Sequence, residues 1–464
     1  VAEMTSDGVE VDYLVVGAGA MGLAFVDVLL TETDATVALV DRYDRPGGHW
    51  TRAYPFVRLH QPSAFYGVNS EKLGLDRVDT EGSNAGHHEL ASGPEVVAYF
   101  DHVVTRRFVP TGRFHHLPMT EFADGVVTSV LTGERHDISA RTVVDATYSN
   151  VTVPSMRAPA FPVAPGLRWM APNEMPEIVT PADGYVVVGG GKTGVDACLW
   201  LLGRGVEPDA IRWIVPRDAW LLDRLNIQPV EAFFDSTVGG YALQLEASAD
   251  AETVDDLFDR LERTGQLLRL DPAVRPTMYR CATVSRAELD ELRRIRGVVR
   301  LGRVRSVEHD TITLDDGAIP TTPNTVHIDC TADGLERRPQ VPVFTDGRIT
   351  LQSVRTCQQV FSASLIAHVE ATVSDIDHRN ELCEVIAHPD TDIDWLRTTL
   401  ANTRSVARWA REPGLGEWLE ASRLNSMRIG DASALTEEQM AVSMRVLRSM
   451  GRAIRNLDRL LQTV

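Results

Sequence analysis

Two glycine-rich strings have the spacing to do chemistry. The first is Gly17-Ala18-Gly19-Ala20-Met21-Gly22, and it follows an apolar run at residues 11–16. In such a turn Gly17 reverses the chain tightly, Gly19 lets the backbone approach a pyrophosphate, and Gly22 lets the next helix pack on the strand. The helix N-terminus then offers unpaired N–H groups to the phosphates, with Ala20 and Met21 among the contacts. Asp41 ends the next apolar run, and Arg42 follows it. A carboxylate at that point can accept both ribose hydroxyls of an adenosine.

The second string, Gly189-Gly190-Gly191-Lys192-Thr193-Gly194, repeats the pattern. Its Gly191-Lys192-Thr193 also suggests an ATP P-loop. That motif needs a glycine five residues before Gly191, and Val186 stands there, so the P-loop reading fails. The following run ends in Pro216-Arg217-Asp218. Arg217 suits a 2′-phosphate and favours NADPH, while Asp218 leaves NADH open. Two dinucleotide sites on one chain have a direct meaning: one holds a flavin, the other a nicotinamide that reduces it.

These strings require strand–turn–helix–strand units. The spacing predicts strands at 11–16 and 36–40 around a helix at 23–30, then strands at 185–188 and 211–215 around a helix at 195–202. Each half also has a hairpin signal, at Asp124-Gly125 and Asp316-Gly317, and a strand ending in Asp-x-Thr, at Asp145 and Asp329. Residues 219–296 read as a helix-rich insertion, with helices near 252–268 and 285–295. The chain after 372 also reads as helical. Its last helix starts at Thr436 with a capping box and carries an apolar stripe (Met440, Met444, Leu447, Ile454, Leu457, Leu461) beside an arginine stripe (Arg445, Arg448, Arg452, Arg455, Arg459). Those arginines suit either a solvated face or docking onto an acidic surface of the chain or of a second subunit.

At this point the sequence resembles the two-dinucleotide-domain flavoproteins, and among them the flavin-containing monooxygenase-like group. The first string with Asp41 is similar to that family's FAD fingerprint. Pro46-Gly47-Gly48-His49-Trp50 is similar to its Gly-Gly-x-Trp, and Arg58-Leu59-His60-Gln61-Pro62-Ser63 lies where it places residues beside the flavin ring. The second string resembles its NADPH turn. Asp329-Cys330-Thr331-Ala332-Asp333-Gly334 resembles the strand end by which the chain returns to the FAD domain. The sequence departs from the family in three places. Phe-x-Gly-x-x-x-His is absent ahead of the second turn, the flavin-side asparagine is replaced by His60 or Gln61, and the first Ala-Thr-Gly reads Ala146-Thr147-Tyr148.

The resemblance implies an α/β chain with two Rossmann-like dinucleotide-binding domains. The expected divisions are an FAD domain at 1–160 and 331–372, an NAD(P) domain nested at 161–330, and a helical extension at 373–464. It implies an FAD-dependent, NAD(P)H-consuming monooxygenase acting with O2 on a small organic substrate. The alternatives are an oxidoreductase with a non-oxygen acceptor and a non-catalytic flavin-fold binding protein. FAD contacts are expected from Gly17, Gly19, Ala20, Met21, Gly22, Asp41, Arg42, Gly48, His49, Trp50, Gln61 and Asp333. NADPH contacts are expected from Gly189, Gly191, Lys192, Thr193, Gly194 and Arg217. His60, Gln61 and His49 are the candidate catalytic groups.

Composition bounds the rest. Of 464 residues, 65 are acidic and 46 basic, a net charge of -19. That balance argues against a nucleic-acid partner. The longest apolar run, 14–26, is too short to span a bilayer. No Lys or Arg precedes Arg42, so no secretory n-region is expected, and a cytoplasmic location is. The five cysteines (198, 281, 330, 357 and 383) are scattered with no CxxC. This suggests a reducing compartment and no dithiol chemistry, with Cys357 packed rather than reactive. His87-His88 and His115-His116 are neighbours in sequence and point apart, so no metal site is expected. Trp220, Asn226, Gln228, Phe233, Phe234 and Tyr279 read as core, with a substrate pocket the less favoured role. A homo-oligomer is left open.

Overall fold

β-branched runs beside glycine turns should form buried parallel strands, and the computed structural model has them. It describes residues 9–332, 334–429 and 432–464. One sheet has six strands in the order Phe344–Thr345, Arg348–Thr350, Ile138–Asp145, Val9–Val16, Val37–Asp41 and Phe114–Pro118. Only the first pair is antiparallel. Leu14 stands opposite Ala38 on one side and Val143 on the other, so the strand ahead of the first glycine turn is central.

A second, wholly parallel sheet has five strands: Gly297–Val299, Ile211–Ile214, Tyr185–Val188, Val326–Asp329 and Arg168–Met170. All of them come from the chain between Ile138–Asp145 and Phe344–Thr345. The chain therefore leaves the first sheet, builds the second and returns.

Helix Ala20–Glu32 is buried at every residue from Met21 to Leu30. It lies between the first sheet and helix Gln359–Thr372, itself buried from Val360 to Ala367. Neither helix has a polar face, because each is covered on both sides.

The 219–296 stretch departs from expectation. Besides helices it holds a three-stranded sheet of Leu267–Leu268, Ala219–Asp223 and Met278–Val284. Gly265, at φ +73°, ends helix Val254–Arg263 early, so Leu267–Leu268 pairs as a strand with Leu221 and Leu222. The longest helix here, Val230–Asp250, escaped sequence reading because Gly239-Gly240 interrupts its period. Arg286–Leu292 has the expected Ser285–Glu288 capping box.

The last helix, Glu437–Leu461, begins with the expected Thr436–Gln439 box. Its apolar stripe is only half buried. Leu457 is fully covered by the Trp220–Phe258–Trp395 cluster, but Met440, Met444 and Leu447 are 46%, 44% and 65% exposed. Val442 and Val446 face the body there instead, against Val230, Phe234 and Val238. Three arginines of the stripe dock onto the end of helix Val230–Asp250, while Arg448 and Arg455 are exposed. Arg445 bonds Glu246 twice at 2.8 Å, Arg452 pairs with Asp250, and Arg459 donates to the Ala251 carbonyl at 2.8 Å. Cations are favoured at that carbonyl-rich helix terminus. No described helix is long and apolar enough to cross a membrane.

Candidate functional site

Both glycine strings adopt one turn geometry. Gly17 and Gly189 have φ of +106° and +121°, open to glycine and costly for other residues. A Cβ on Gly22 would stand 2.1 Å from the Gly17 oxygen, and one on Gly194 2.0 Å from the Gly189 oxygen. The third glycine is thus imposed by the helix closing on its own turn. Helices Ala20–Glu32 and Lys192–Gly203 start at Gly19 and Gly191 with no side-chain cap, whereas Ser92, Ser285 and Thr391 cap theirs. The first-turn N–H groups, including those of Ala20, Met21, Lys192 and Thr193, therefore stay available to an anion. On these features both turns fit a dinucleotide pyrophosphate.

The middle glycines differ. A Cβ on Gly191 would meet nothing within 4 Å, so that backbone faces open space. Gly19 faces Gly48 instead. Gly48 has φ +56°, and its Cβ would lie 2.9 Å from the Gly19 Cα. The Gly47 N–H donates to the Ala18 carbonyl at 2.8 Å. The Gly47-Gly48 segment thus closes over the first turn. Asp41 is buried and accepts from the Ala18 N–H at 2.6 Å and the Tyr43 N–H at 2.8 Å. Burial raises its pKa against the opposing pull of those bonds. A carboxylate has about four acceptor positions, which leaves two for ribose hydroxyls. Arg42 is exposed, 5.7 Å from the Tyr43 ring centre.

A cleft of 560 Å³ joins the two halves of the chain. Gly190, Gly191, Lys192 and Thr193 line it from one side, and His60, Tyr148 and Ser149 from the other. Lys192 pairs with Asp196, one helical turn on, and Asp196 also accepts from the Tyr54 hydroxyl at 2.6 Å. Burial and then Asp196 push the Tyr54 pKa well above 10. His60 Nδ1 is buried with no hydrogen-bond partner. Burial, then Lys192 and Arg224, push the His60 pKa down to about 3. The ring is therefore neutral and keeps one nitrogen unused. Arg224, 2% exposed, holds the segment in place. It donates to the His60 carbonyl at 3.2 Å, Asn84 at 3.1 Å and Glu288 at 2.7 Å.

Beyond the second turn lies an arginine cluster. Arg217 Nη2 meets both oxygens of Asp390 at 3.0 Å, Arg280 Nε donates at 2.9 Å, and Arg337 Nη2 stands 2.6 Å away. Burial works against the Asp390 charge. The bonds from Arg280, Arg217 and Arg337 outweigh it and hold the carboxyl well below its usual range. All four residues line an adjoining recess of 970 Å³. Asp218 is bound to Arg300 through both oxygens, at 2.7 and 3.0 Å.

Of the expected catalytic groups, only His60 lines this cleft; Gln61 and His49 do not. Burial brings His49 down to about 4, and its ring lies 5.3 Å from that of Trp50. Trp50 Nε1 donates to the Tyr66 hydroxyl at 2.6 Å. Asp333 lies outside the described residues. Trp220, Tyr279 and Phe234 are core residues, and Gln228 is buried between the His88 N–H and the Arg224 carbonyl.

The expectation of unpaired cysteines is overturned: Cys281 and Cys357 form a disulfide. They are 76 residues apart, so no local spacing could show the pair. Sequence reading also missed Tyr54, Asp196, Arg280, Arg337 and Asp390. Of the missed groups only Asp196 had a local signal, its four-residue step from Lys192.

No protein-family model matches the chain. It is 53% identical over 418 residues to uncharacterized protein Rv2000 of Mycobacterium tuberculosis and to uncharacterized protein Mb2023 of Mycobacterium bovis, covering 90% of this chain and 78% of each relative. The chain belongs to the same family as these two proteins. Among solved structures, the chain is similar to the following three. One is cyclohexanone monooxygenase from Rhodococcus sp. Phi1 bound to NADP+ (TM-score 0.47, 15% identity, 96% of this chain and 98% of that one). Another is OTEMO in complex with FAD and NADP (TM-score 0.49, 14% identity, 81% and 85%). The third is a flavin-containing monooxygenase from Stenotrophomonas maltophilia (TM-score 0.44, 14% identity, 81% and 99%). At these scores the likeness transfers no residue role to this chain.

Proposed function

We propose that the protein is an FAD-dependent, NAD(P)H-consuming oxidoreductase of the monooxygenase type. The observation that carries this reading is the shared cleft. It places an open glycine turn from one sheet beside a neutral histidine from the segment that follows the other glycine turn. In this reading residues 1–160 and 331–372 form the FAD domain, 161–330 the nested nicotinamide domain, and 373–464 an extension that supplies Asp390. Gly17–Gly22 and Asp41 hold FAD by its pyrophosphate and ribose. Gly189–Gly194 hold the nicotinamide pyrophosphate. Arg217, with Arg280 and Arg337, takes the 2′-phosphate and favours NADPH. Bound flavin supplies two-electron chemistry with the nicotinamide and with O2.

The chain's own residues set the conditions. The Tyr54–Asp196–Lys192 chain fixes the start of helix Lys192–Gly203. His60 presents a neutral nitrogen to the cleft, so it orients by hydrogen bonding and adds no charge. Arg224 positions His60 through its carbonyl.

The test is direct. The protein loaded with FAD should turn yellow, and anaerobic NADPH should bleach it. Admission of labelled O2 with a panel of small ketones, sulfides and amines should place one oxygen atom in product. Protein that binds no FAD would overturn the reading. The absent Phe-x-Gly-x-x-x-His string favours a second reading, in which electrons pass to an acceptor other than oxygen. Bleaching by NADPH without label in any product would select it.

A further inference from the structure

The Cys281–Cys357 pair has an unusual backbone setting, and the two chain neighbours of Cys281, Arg280 and Ala282, line the cleft. Both residues have left-handed backbone, with φ of +55° and +61°. Such conformations are costly for non-glycine residues and cluster at functional sites. Cys281 is the centre of a bulge: Trp220 pairs with Tyr279 and Leu222 with Thr283, so residues 280–282 stand opposite Leu221 alone. The bulge turns Arg280 and Ala282 to the cleft and Cys281 to its partner.

His388, which lines the cleft, completes the group. Its Nε2 is 3.9 Å from Cys357 Sγ and within 4.8 Å of the Cys281 sulfur. Its Nδ1 lies 3.1 Å from the Pro389 carbonyl. A carbonyl only accepts, so Nδ1 carries the proton and Nε2 presents a lone pair to the sulfurs. Cys357 is half-buried and Cys281 buried. The other three cysteines are buried, and burial raises their thiol pKa values.

We propose that Cys281–Cys357–His388 is a thiol–disulfide exchange site that takes an external low-molecular-weight thiol at Cys357. The incoming thiol gives its proton to His388 Nε2, and its sulfur attacks Cys357 Sγ. The S–S bond breaks, and the Cys281 sulfur leaves with its electron pair and takes the proton back from Nε2. A second thiol attacks the outer sulfur of the mixed disulfide and frees Cys357 as a thiol. Two external thiols are oxidised to a disulfide, and the protein pair is reduced. Exchange unties strand Met278–Val284, which carries Arg280, from the segment ahead of helix Gln359–Thr372. The site does not depend on the nucleotide reading.

The test uses the whole protein purified in air without reductant. Thiol titration after unfolding should find three thiols, and five after treatment of the native protein with free cysteine. Mass spectrometry of Cys281→Ser treated with cystine should find one mixed disulfide, at Cys357. Cys357→Ser should take up at least about tenfold less under the same conditions, since Cys281 is buried. His388→Ala should slow reduction of the pair by about tenfold or more. Five thiols in untreated protein would overturn the proposal. So would a pair that cysteine opens only in denaturant, or equal labelling of the two variants. The wild-type titration decides the matter even if a variant fails to fold.

Discussion

Gly191 and Gly194 of the second turn should respond to one methyl group in opposite ways. Gly191 has φ -84° and ψ -175°, a conformation any residue adopts, and its Cβ would meet nothing within 4 Å. In Gly191→Ala two small effects on folding oppose each other. Restricting the unfolded chain stabilises by about 0.4–1 kcal/mol. Alanine is a poorer N-cap than glycine, by a few tenths of a kcal/mol or more. The balance should lie within about 0.5 kcal/mol, a melting shift of roughly 1–2 °C. The methyl group would, however, stand in the open space where the nucleotide reading places the pyrophosphate. NADPH affinity should fall at least about tenfold, or about 1.4 kcal/mol.

Gly194→Ala has no room to be mild. Its Cβ would lie 2.0 Å from the Gly189 oxygen, and that oxygen already accepts from Trp213 Nε1 at 2.8 Å. The helix would have to move by more than an ångström, which breaks strand–helix packing and should cost more than about 4 kcal/mol. The assay pairs thermal melting with NADPH titration of the FAD-loaded protein. If Gly191→Ala melts like the parent and binds NADPH equally well, no phosphate approaches this turn and the nucleotide reading fails. A Gly194→Ala protein that folds normally would refute the packing argument.

Three further outcomes follow from the same geometry. Arg217→Ala should weaken NADPH at least about tenfold while changing NADH by less than about threefold, as expected for a charge-assisted bond to the 2′-phosphate; equal losses in titration would exclude that role. Leu457→Ala should destabilise by about 2–4 kcal/mol in urea melts, and Leu447→Ala by less than about 0.5 kcal/mol, because only Leu457 is buried. Burial depresses both His60 and His49, so the unfolded chain binds protons first and stability is lost as pH falls below about 6.5. His60→Gln should reduce the slope of stability between pH 6 and pH 4 by up to about 1.4 kcal/mol per pH unit, and an unchanged slope would show that His60 is solvated.

What the sequence disclosed and what it hid divide along chain distance. Gly17, Gly22, Gly189 and Gly194 are legible because their constraint is local: each third glycine is forced by the oxygen of the first, five residues back. Asp41 is legible because it ends the strand beside its own turn. The capping boxes at Ser285 and Thr436 are legible because both partners lie within one helical turn. Arg217 was legible as a residue, but its setting was not. Its partner Asp390 is 173 residues away, in a segment that reads only as part of a helical extension. The Cys281–Cys357 pair was misjudged for the same reason, and so were the strands at 219–223 and 278–284, which pair with each other across a long stretch of chain.

The hidden residues change the meaning of the legible ones. Read alone, Arg217 is a single cation at a strand end. In the fold it is one of three guanidinium groups on a single carboxylate, all four residues lining one recess. Asp390 already accepts from all three, so a 2′-phosphate must either share those donors or displace the carboxylate. Sharing adds negative charge beside negative charge, whereas displacement frees three ordered donors at once. Asp390 belongs to the same short segment as His388, the partner of Cys357. An anion bound in place of Asp390 would therefore act two residues from the imidazole that lies beside the disulfide.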